Sequence, residues 1–353
     1  MKTFNRKERI KFENGKLFFG KIMQSLVTGG AGFIGSNLVD QLILKGHKVI
    51  VLDNFSTGRK SNLAHHKKKN LKIVNINIAK NKSLDKYFKG VNYVFHLAGL
   101  ADIVPSIENP SKYYDSNVIG TLNVIQAAKK IKLKKFIYAA SASCYGIPDK
   151  FPTKEIHKIK PMYPYALTKY QAEELVMHWH KVYNLPSISL RFFNAYGLRS
   201  RTSGAYGAVF GVFLAQKLAN KPLTIVGNGE QTRDFIHVND LVRGMIKAAT
   251  SNKIGKIYNI GGGKEVKVNK IVKLIGGKKI YIPKRPGESD RSLADISKIK
   301  NDLNWQPEIT IEKGINELLQ NISYWKTAPV WTVKKIKKVT KTWFKLLGKK
   351  TNK

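Results

Sequence analysis

The stretch Leu26-Val-Thr-Gly-Gly-Ala-Gly-Phe-Ile-Gly-Ser36 contains glycines at the spacing of a tight turn between a strand and a helix. An apolar run at 22–27 predicts a buried strand before the turn, and apolar residues recur with helical period over 33–43 after it. Glycine lets the turn be tight and lets the backbone approach a phosphate, while the helix N-terminus presents free N–H groups and a positive dipole. We interpret the turn as the pyrophosphate loop of a dinucleotide site; a strand-to-helix turn without a ligand is the alternative.

A second buried strand is predicted at 47–52, and it ends at Asp53. An acidic residue about 20 positions into such a unit accepts the ribose hydroxyls of a dinucleotide. Further apolar runs at 71–78 and 91–97 alternate with helical segments. This βαβα order predicts an α/β fold with a doubly wound parallel sheet, the Rossmann arrangement.

Composition limits the partners and the compartment. The 353 residues predict about two domains. A net charge of +40, from 63 Lys plus Arg against 23 Asp plus Glu, usually suggests nucleic acid or an anionic membrane. The lysines are spread along the chain without a nucleic-acid-binding motif, so we expect no nucleic-acid partner. The single cysteine, Cys144, fits a reducing compartment, and no apolar run reaches about 18 residues, so we expect a cytoplasmic protein.

The remaining pattern predicts a second, smaller domain. Before it come a helix at 115–131, a strand at 136–140, a loop with four prolines at 147–164, a helix at 165–183 and a strand at 186–193. Beyond residue 195 the alternation weakens, which indicates a smaller C-terminal α/β substrate domain. Its predicted parts are a Gly-rich loop at 203–211, a helix at 212–219 and a strand at 223–226, while a strand at 257–260 returns to the main sheet.

These patterns divide the chain into segments. We predict an N-terminal extension at 1–21, a dinucleotide-binding domain at 22–194 that is rejoined by about 236–262, a substrate domain at 195–235 and 263–326, and a basic tail at 327–353. The extension lacks a sustained apolar core and is not predicted to be a signal peptide.

Tyr165 and Lys169 stand four residues apart at the start of a predicted helix, so their side chains share one face. An ammonium beside a phenol favours the phenolate and is expected to lower the tyrosine pKa from its free value near about 10. Such a tyrosine takes a proton from a substrate hydroxyl while a hydride leaves the same carbon. Ser141, at the end of a strand, can supply a hydroxyl to the same oxygen. A surface tyrosine beside a lysine is the alternative interpretation.

Two adjacent histidines, His65 and His66, lie in a predicted loop rich in Lys and His. No cysteine or carboxylate flanks them in the sequence, so we predict that they are exposed and hold no metal. No metal site is expected elsewhere.

Taken together, these motifs resemble the extended short-chain dehydrogenase/reductases of the nucleotide-sugar epimerase/dehydratase family, and most closely its UDP-hexose 4-epimerases. The resemblance covers roughly residues 22–326. The matching stretches are Thr28–Ser36, Asp53–Gly58, Phe95–Gly99, Asn117–Thr121, Ser141–Gly146, Tyr165 with Lys169, Arg191–Gly197, Gln231–Phe235, Arg285–Glu288 and Ala294–Ser297.

The resemblance implies a bound NAD. Asp53 favours NAD over NADP, because a carboxylate repels a 2′-phosphate. Lys169 is implied to contact the nicotinamide ribose. The other implied contacts are Gly29, Gly32, Phe33, Ile34, Gly35, Asn54, Ile78, Leu97, Ala98 and Asn117.

The resemblance also implies the reaction. Tyr165, with Ser141 as its hydrogen-bonding partner, removes the C4 hydroxyl proton of a UDP-sugar, and the C4 hydride passes to NAD to leave a 4-keto sugar. The sugar then turns over and receives the hydride on its other face. Asn194, Arg233 and Arg285 hold the UDP diphosphate, since the planar guanidinium matches phosphate oxygens. A surface ion pair is the alternative for both arginines.

Departures from the family pattern narrow the reaction further. Dehydratases carry Asp-Glu where this chain has Ala142 and Ser143, and UDP-glucuronate decarboxylases usually carry Glu at the second position. We therefore predict a 4-epimerase. Ser292 occupies the position that walls the sugar 2-position, and its small size predicts that UDP-GlcNAc and UDP-GalNAc are accepted besides UDP-glucose and UDP-galactose. Another nucleotide-sugar activity on the same fold, and a non-catalytic adaptor, are the alternatives.

Two expectations concern partners. In this family the helices at 115–131 and 165–183 pair with a second subunit, which implies a homodimer. In the tail, ten lysines and no acid follow from Lys326 onward, and apolar residues recur with helical spacing. Such a basic amphipathic helix can make weak contact with a membrane surface. We favour the alternative, in which its apolar face docks on the protein itself or on a partner.

Overall fold

A computed structural model describes residues 8–13, 16–81, 83–200 and 209–348, with backbone alone for 8–13 and 16–21. The strands in this part of the chain are β1 (Glu8–Glu13), β2 (Lys16–Lys21), β3 (Gln24–Thr28), β4 (Lys48–Asp53), β5 (Leu71–Asn75), β6 (Tyr93–His96), β7 (Lys135–Ser141), β8 (Ser187–Phe192), β9 (Asn194–Tyr196), β10 (Leu223–Val226), β11 (Thr232–His237), β12 (Lys256–Ile260), β13 (Glu265–Lys267) and β14 (Lys279–Ile282).

The helices pack around these strands. They are α1 (Phe33–Leu44), α2 (Asp85–Phe88), α3 (Ile103–Glu108), α4 (Pro110–Tyr114), α5 (Gly120–Ala128), α6 (Pro164–Tyr183), α7 (Val209–Leu218), α8 (Val238–Thr250), α9 (Val268–Ile275), α10 (Ser297–Leu303), α11 (Ile311–Gln320) and α12 (Val333–Leu347), with a π-helical turn at Asp115–Ile119 between α4 and α5.

A seven-stranded parallel sheet forms the centre of the fold, with the strand order β12-β8-β7-β6-β3-β4-β5. Both of its faces are buried. Along β7, Ile137 belongs to an apolar cluster with residues of α1 and α8, while Phe136 and Tyr138 belong to a second cluster with residues of α5 and α6. Alternate side chains of one strand thus enter opposite cores, as a doubly wound sheet requires. The predicted fold class is confirmed.

The strand order reverses at β3. Strands β4 and β5 follow β3 in the chain and lie on one side of it. The chain then crosses over, and β6 lies on the other side of β3. The loops that follow β3 and β6 therefore leave in opposite directions and open a crevice at the carboxyl ends of the strands. The glycine turn after Thr28 lies at this crevice.

A smaller α/β unit follows the central sheet. It contains a parallel pair, β10 with β14, and a three-stranded sheet in the order β13-β11-β9. Its apolar core joins residues of α7, α9 and α11 with the buried Trp325. The strand Lys256–Ile260 pairs with Ile188–Phe192 and so returns to the main sheet as predicted. The exact division into segments stays a prediction.

Helix boundaries differ from the sequence prediction in two places. The helix predicted at 115–131 begins earlier, at Pro110, where Asn109 accepts a hydrogen bond from the Lys112 N–H at 3.1 Å. An Asn cap followed by Pro is a start signal that periodicity alone overlooks. The Gly-rich loop predicted at 203–211 is wrong over 209–211, which begin α7, and its other residues lie outside the described chain.

The two ends of the chain also form structure. The predicted extension contains β1 and β2, which pair as an antiparallel hairpin. The predicted tail contains α12, which begins after Thr332, whose hydroxyl accepts from the Lys335 N–H at 3.4 Å. Among the residues described, no helix combines the length and apolar character needed to cross a membrane.

Candidate active site

The glycine turn leaves no room for side chains where it bends. Gly29 has φ +69, and its N–H donates to the Leu52 carbonyl at 2.8 Å. A Cβ on Gly35 would lie 2.2 Å from the Gly29 carbonyl oxygen, so only glycine fits there. Helix α1 follows at Phe33, and no side chain caps its first turn. The free N–H groups of this turn face the crevice and suit a pyrophosphate.

A cleft of about 390 Å³ lies beside the turn. It is lined by most of the residues predicted to contact the cofactor, namely Gly29, Gly32, Phe33, Ile34, Gly35, Asp53, Asn54, Ile78, Leu97, Ala98 and Lys169. Ser141 and Tyr165 line the same cleft. The structure thus brings the predicted cofactor contacts and catalytic residues together, and the narrow turn fits a dinucleotide.

Asp53 lies at the end of β4, opposite the glycine turn. Its carboxylate accepts hydrogen bonds from the Ala31 N–H at 2.9 Å and the Phe55 N–H at 2.8 Å. Burial raises its pKa, and these two backbone donors act in the opposite direction. The carboxylate therefore ties the glycine turn to the loop after β4 while it lines the cleft.

Tyr165 and Ser141 are joined directly. The Tyr165 hydroxyl donates to Ser141 Oγ at 3.1 Å, and Ser141 Oγ lies 2.8 Å from Ser143 Oγ. The Ser143 N–H also donates to Ser141 Oγ, at 3.2 Å. Ser143 was not predicted as part of this network, although a serine two residues after a strand-ending serine is a usual turn partner. The three hydroxyls converge where a substrate hydroxyl would lie.

The protonation of Tyr165 differs from the prediction. Burial raises its pKa, and hydrogen bonds with Ser141 and Ser143 only partly oppose this. Burial also lowers the pKa of Lys169 to about 7, while Glu173 opposes that shift. The Lys169 ammonium nitrogen lies 4.4 Å from the centre of the Tyr138 ring. The spacing shows that the two groups share a face, but it does not show that both are buried, and burial is the largest cause of both pKa shifts.

Asn117 was predicted to contact the cofactor, but it is not among the side chains that line the cleft. It is buried and accepts from the Leu100 N–H at 2.8 Å. Its amide also donates to the Leu100 carbonyl and to Thr168 Oγ1 at 3.0 Å. Asn117 therefore connects the loop after β6 to the helix that carries Lys169.

Two of the three predicted diphosphate ligands, Arg233 and Arg285, come together around one carboxylate. Arg285 pairs with Glu288 at 3.0 Å, and Arg233 lies 4.0 Å from the same carboxylate. Arg233 also donates to the Ser289 carbonyl at 3.0 Å. Glu288 and Arg233 both act on the pKa of Tyr163, which burial raises. The Tyr163 ring stacks on Tyr165 at 6.2 Å between centroids, so Tyr163 links Tyr165 to Arg233 and Glu288.

Asn194 and Ser292 are held by the smaller unit. Asn194 begins β9 and pairs with Phe235 of β11. Ser292 is half-buried two residues before Ala294, whose N–H donates to Asp234 at 2.8 Å. Burial raises the pKa of Asp234 to about 6, and the backbone donors that surround it lower it. Neither Asn194 nor Ser292 lines the cofactor cleft.

The cleft also contains residues that sequence reasoning missed. Arg199 and Tyr324 line it, although both are far from the glycine turn in the sequence. No local motif marks either residue, because each reaches the cleft through the tertiary fold. Arg59 lines the cleft too and lies with its guanidinium carbon 5.8 Å from the centre of the Tyr324 ring.

The prediction that both histidines are exposed is confirmed for His65 and wrong for His66. Asp40 on α1 accepts from His65 at 3.0 Å and from His66 at 2.6 Å, so a carboxylate does lie beside both, and His66 is only slightly exposed. These three side chains are close enough to share a metal ion. The guanidinium of Arg199 pairs with the other Asp40 oxygen at 2.8 Å and supplies positive charge at this position.

The glycine turn, the acid at the end of β4 and the Ser-Tyr-Lys arrangement define a dinucleotide-dependent enzyme of the short-chain dehydrogenase/reductase class. Comparisons with known proteins agree. A family model described as the NAD dependent epimerase/dehydratase family matches residues 25–261. The chain therefore belongs to this family, and its cofactor is NAD.

Individual relatives include more than one activity. A putative UDP-glucose 4-epimerase of Methanocaldococcus jannaschii is 39% identical over 83% of this chain and 96% of that protein. UDP-glucuronic acid decarboxylase 4 of Arabidopsis thaliana is 34% identical over 87% of this chain and 71% of that protein. A solved UDP-N-acetylglucosamine 4-epimerase from Methanobrevibacter ruminantium M1, in complex with UDP-N-acetylmuramic acid, has a TM-score of 0.80 and 32% identity over 86% of this chain and 100% of that chain.

Proposed function

We propose that the protein interconverts the C4 epimers of UDP-hexoses with tightly bound NAD. One observation carries the proposal: the Tyr165 hydroxyl bonds Ser141 inside the cofactor cleft, with Lys169 lining the same cleft. The arginine pair around Glu288 lies near Tyr163, which stacks on Tyr165. A sugar anchored by its diphosphate at the arginines would place its ring beside the tyrosine.

The residues divide the work of the reaction. We propose that Tyr165, as phenolate, takes the C4 hydroxyl proton, and that the hydroxyls of Ser141 and Ser143 stabilise the oxygens involved. The glycine turn and Asp53 would hold NAD, which would supply a hydride acceptor and donor for C4 of the sugar. Because Lys169 has a pKa lowered to about 7, its charge is present below that pH and lost above it. The charged form is the one that favours a phenolate.

The competing activities differ at one position. One relative is a UDP-glucuronic acid decarboxylase, whereas this chain has Ser143 where the family resemblance implies a Glu for that activity. Its hydroxyl bonds Ser141, so this position serves the hydroxyl network and offers no acid. A non-catalytic adaptor would not need Ser141, Tyr165 and Lys169 to converge on one cleft. We therefore favour epimerisation over both alternatives.

The proposal is tested by incubating the purified protein with UDP-hexoses and following the sugar by NMR without added NAD. We expect the C4 epimer to form while the amount of total sugar nucleotide stays constant. Accumulation of a 4-keto product from a UDP-hexose, or of a UDP-pentose in a parallel incubation with UDP-glucuronate, would support the other activities. No change in any UDP-sugar would contradict an enzymatic role on these substrates.

Ser292 sets the predicted sugar range. We propose that its small side chain admits N-acetyl groups, and the solved relative that binds UDP-N-acetylmuramic acid supports this. Ser292→Tyr is expected to lower kcat/KM for UDP-GlcNAc by at least about 10-fold, because a bulky ring would fill the space of the acetyl group. The control is the same variant on UDP-glucose, where we expect little change. Absence of N-acetyl activity in the wild type would refute this specificity.

We also propose a homodimer formed through α4, α5 and α6. This face leaves apolar side chains exposed, including Leu167 and Val182 on α6 and Tyr114 on α4. Light scattering is expected to give twice the chain mass, and Val182→Glu is expected to shift the mass toward that of one chain. A monomeric wild type would exclude the dimer.

We propose that the tail helix α12 docks on the protein itself. Three side chains on one stripe of α12, Ile336, Thr340 and Trp343, are buried against the protein, as the favoured alternative predicted. Its exposed lysines, with Phe344, can then make only weak contact with an anionic surface, which co-sedimentation with anionic vesicles would measure. We propose a cytoplasmic location, consistent with the single cysteine, which is free and buried.

A further inference from the structure

Helix α12 lies against the loop that carries Arg285. The Trp343 side chain is 1% exposed, and its indole N–H donates to the Pro286 carbonyl at 2.7 Å. The guanidinium carbon of Arg285 lies 5.6 Å from the centre of the Trp343 ring. One tail side chain therefore fixes the backbone next to Arg285 and also faces its guanidinium.

The other side of Trp343 packs on α3, which follows a wall of the cofactor cleft. The ring packs on the buried Val104 of α3. Helix α3 directly follows the segment 99–101, which lines the cofactor cleft. We call the apolar group around Trp343 the tail cluster; it consists of Ile103, Val104, Trp331, Val339, Trp343 and Leu347. Through this cluster α12 bridges the loop of Arg285 and the wall of the cleft.

The Arg285 loop is anchored in its later part by hydrogen bonds from the Thr232 N–H to the Asp290 carbonyl and from the Thr153 N–H to the Leu293 carbonyl, whereas next to Arg285 it packs on α12. It lies between the end of β14 at Ile282 and the start of α10 at Ser297, and Gly287 has φ +75. The side chains of Met162 and Leu347 lie beside Gly287, one from the segment before Tyr163 and one from α12. The loop is therefore packed between the catalytic segment and the tail helix.

We propose that Trp343 is a positioning residue for Arg285, which makes α12 part of the site that holds the UDP diphosphate. This rests on the proposed function, in which Arg285 binds that diphosphate. A loop that is ordered before binding costs the ligand less on association than one that must be ordered by it. Because the diphosphate is remote from C4 and is held in both the ground state and the transition state, loss of this order raises KM more than it lowers kcat.

Two tryptophans of the tail cluster provide a matched test. Trp343→Phe keeps an aromatic ring but removes the hydrogen bond to Pro286. Trp331→Phe removes an indole N–H that has no hydrogen-bond partner among the described residues. Using the full-length protein with its bound NAD, calorimetry with UDP is expected to show about 2- to 10-fold weaker binding for Trp343→Phe, the range of one hydrogen bond. Trp331→Phe should bind UDP as the wild type does.

A double-mutant cycle shows whether the effect passes through Arg285. Arg285→Gln is expected to weaken UDP binding, and adding Trp343→Phe to it should cause no further loss. In turnover assays Trp343→Phe should raise KM by the same factor with kcat nearly unchanged. Equal UDP affinity of the wild type and Trp343→Phe, or additive effects in the cycle, would overturn the positioning role of Trp343 but not the proposed function. A wild type that binds no UDP would overturn the proposed function as well.

Discussion

Replacement of Tyr165 by Phe is expected to lower kcat for C4 epimerisation by about 10²–10⁴-fold, the usual contribution of a positioned acid–base group. The hydroxyl is the only atom group that this substitution removes. It is the group that donates to Ser141 at 3.1 Å in the cofactor cleft. Without it, no side chain on α6 is placed to take the C4 proton beside Ser141. The measurement is single-turnover NMR of UDP-galactose conversion.

Cofactor retention separates lost chemistry from lost structure. We expect Tyr165→Phe to keep its NAD, because the glycine turn and Asp53 are unaffected, and the absorbance of the denatured supernatant would measure it. Tyr170→Phe, on the same helix but near Glu174, is the matched control and should keep wild-type kcat. If Tyr165→Phe retains more than a tenth of the activity, or if Tyr170→Phe loses as much, Tyr165 is not the base.

Residues close in sequence were the ones that sequence reasoning placed correctly. The glycine turn could be recognised because the bend itself demands glycine, as the 2.2 Å approach of a Cβ on Gly35 to the Gly29 carbonyl shows. Asp53 followed because a parallel strand ends near that turn. In each case the local backbone conformation and the proposed binding function require the same residue type, so one sequence pattern predicts both.

Properties that depend on burial could not be read from the sequence. The spacing of Tyr165 and Lys169 was interpreted correctly as one shared face, but the direction of the tyrosine pKa was predicted wrongly. Spacing gives the distance between two charges, whereas burial sets the cost of each charge, and here burial dominates both pKa values. The sequence predicts the distance between the two groups, but it does not predict how deeply each is buried.

Contacts between distant segments were missed for a different reason. Asp40 contacts His65 and His66 because α1 packs beside the loop after β4. Trp343 contacts Pro286 because α12 packs on the Arg285 loop. Each partner looked like an ordinary surface or amphipathic residue within its own segment. Helical spacing did predict that the tail has an apolar face, and only the fold shows that this face covers the Arg285 loop.

The largest effect on stability is expected at Arg191, which lies on β8 and is buried against Glu173 of α6. Its Nε donates to the Glu173 carboxylate at 3.0 Å, and its Nη1 donates to the Tyr145 hydroxyl at 2.8 Å. Glu173 also accepts from Ser189 at 2.7 Å. One guanidinium thus connects the central sheet, α6 and the turn after Ser141.

Arg191→Met is expected to lower the free energy of unfolding by about 3–5 kcal/mol, because the buried Glu173 carboxylate keeps the Ser189 hydroxyl but loses its guanidinium partner. The exposed pair Lys130–Asp85, with its atoms 2.7 Å apart, is the control, and Lys130→Met should cost at most about 1 kcal/mol. Urea unfolding would measure both as shifts of the midpoint at constant slope.

The cause of that loss can be isolated with a second substitution. If the penalty comes from an uncompensated charge, Arg191→Met combined with Glu173→Leu should be more stable than Arg191→Met alone, since two apolar side chains of similar volume can replace a buried ion pair. If the penalty comes instead from the hydrogen bonds to Tyr145 and Ser189, the double variant should be the less stable of the two. The sign of the difference in stability between the two variants therefore decides whether the charge pair or its polar neighbours stabilise the packing of α6 on the sheet.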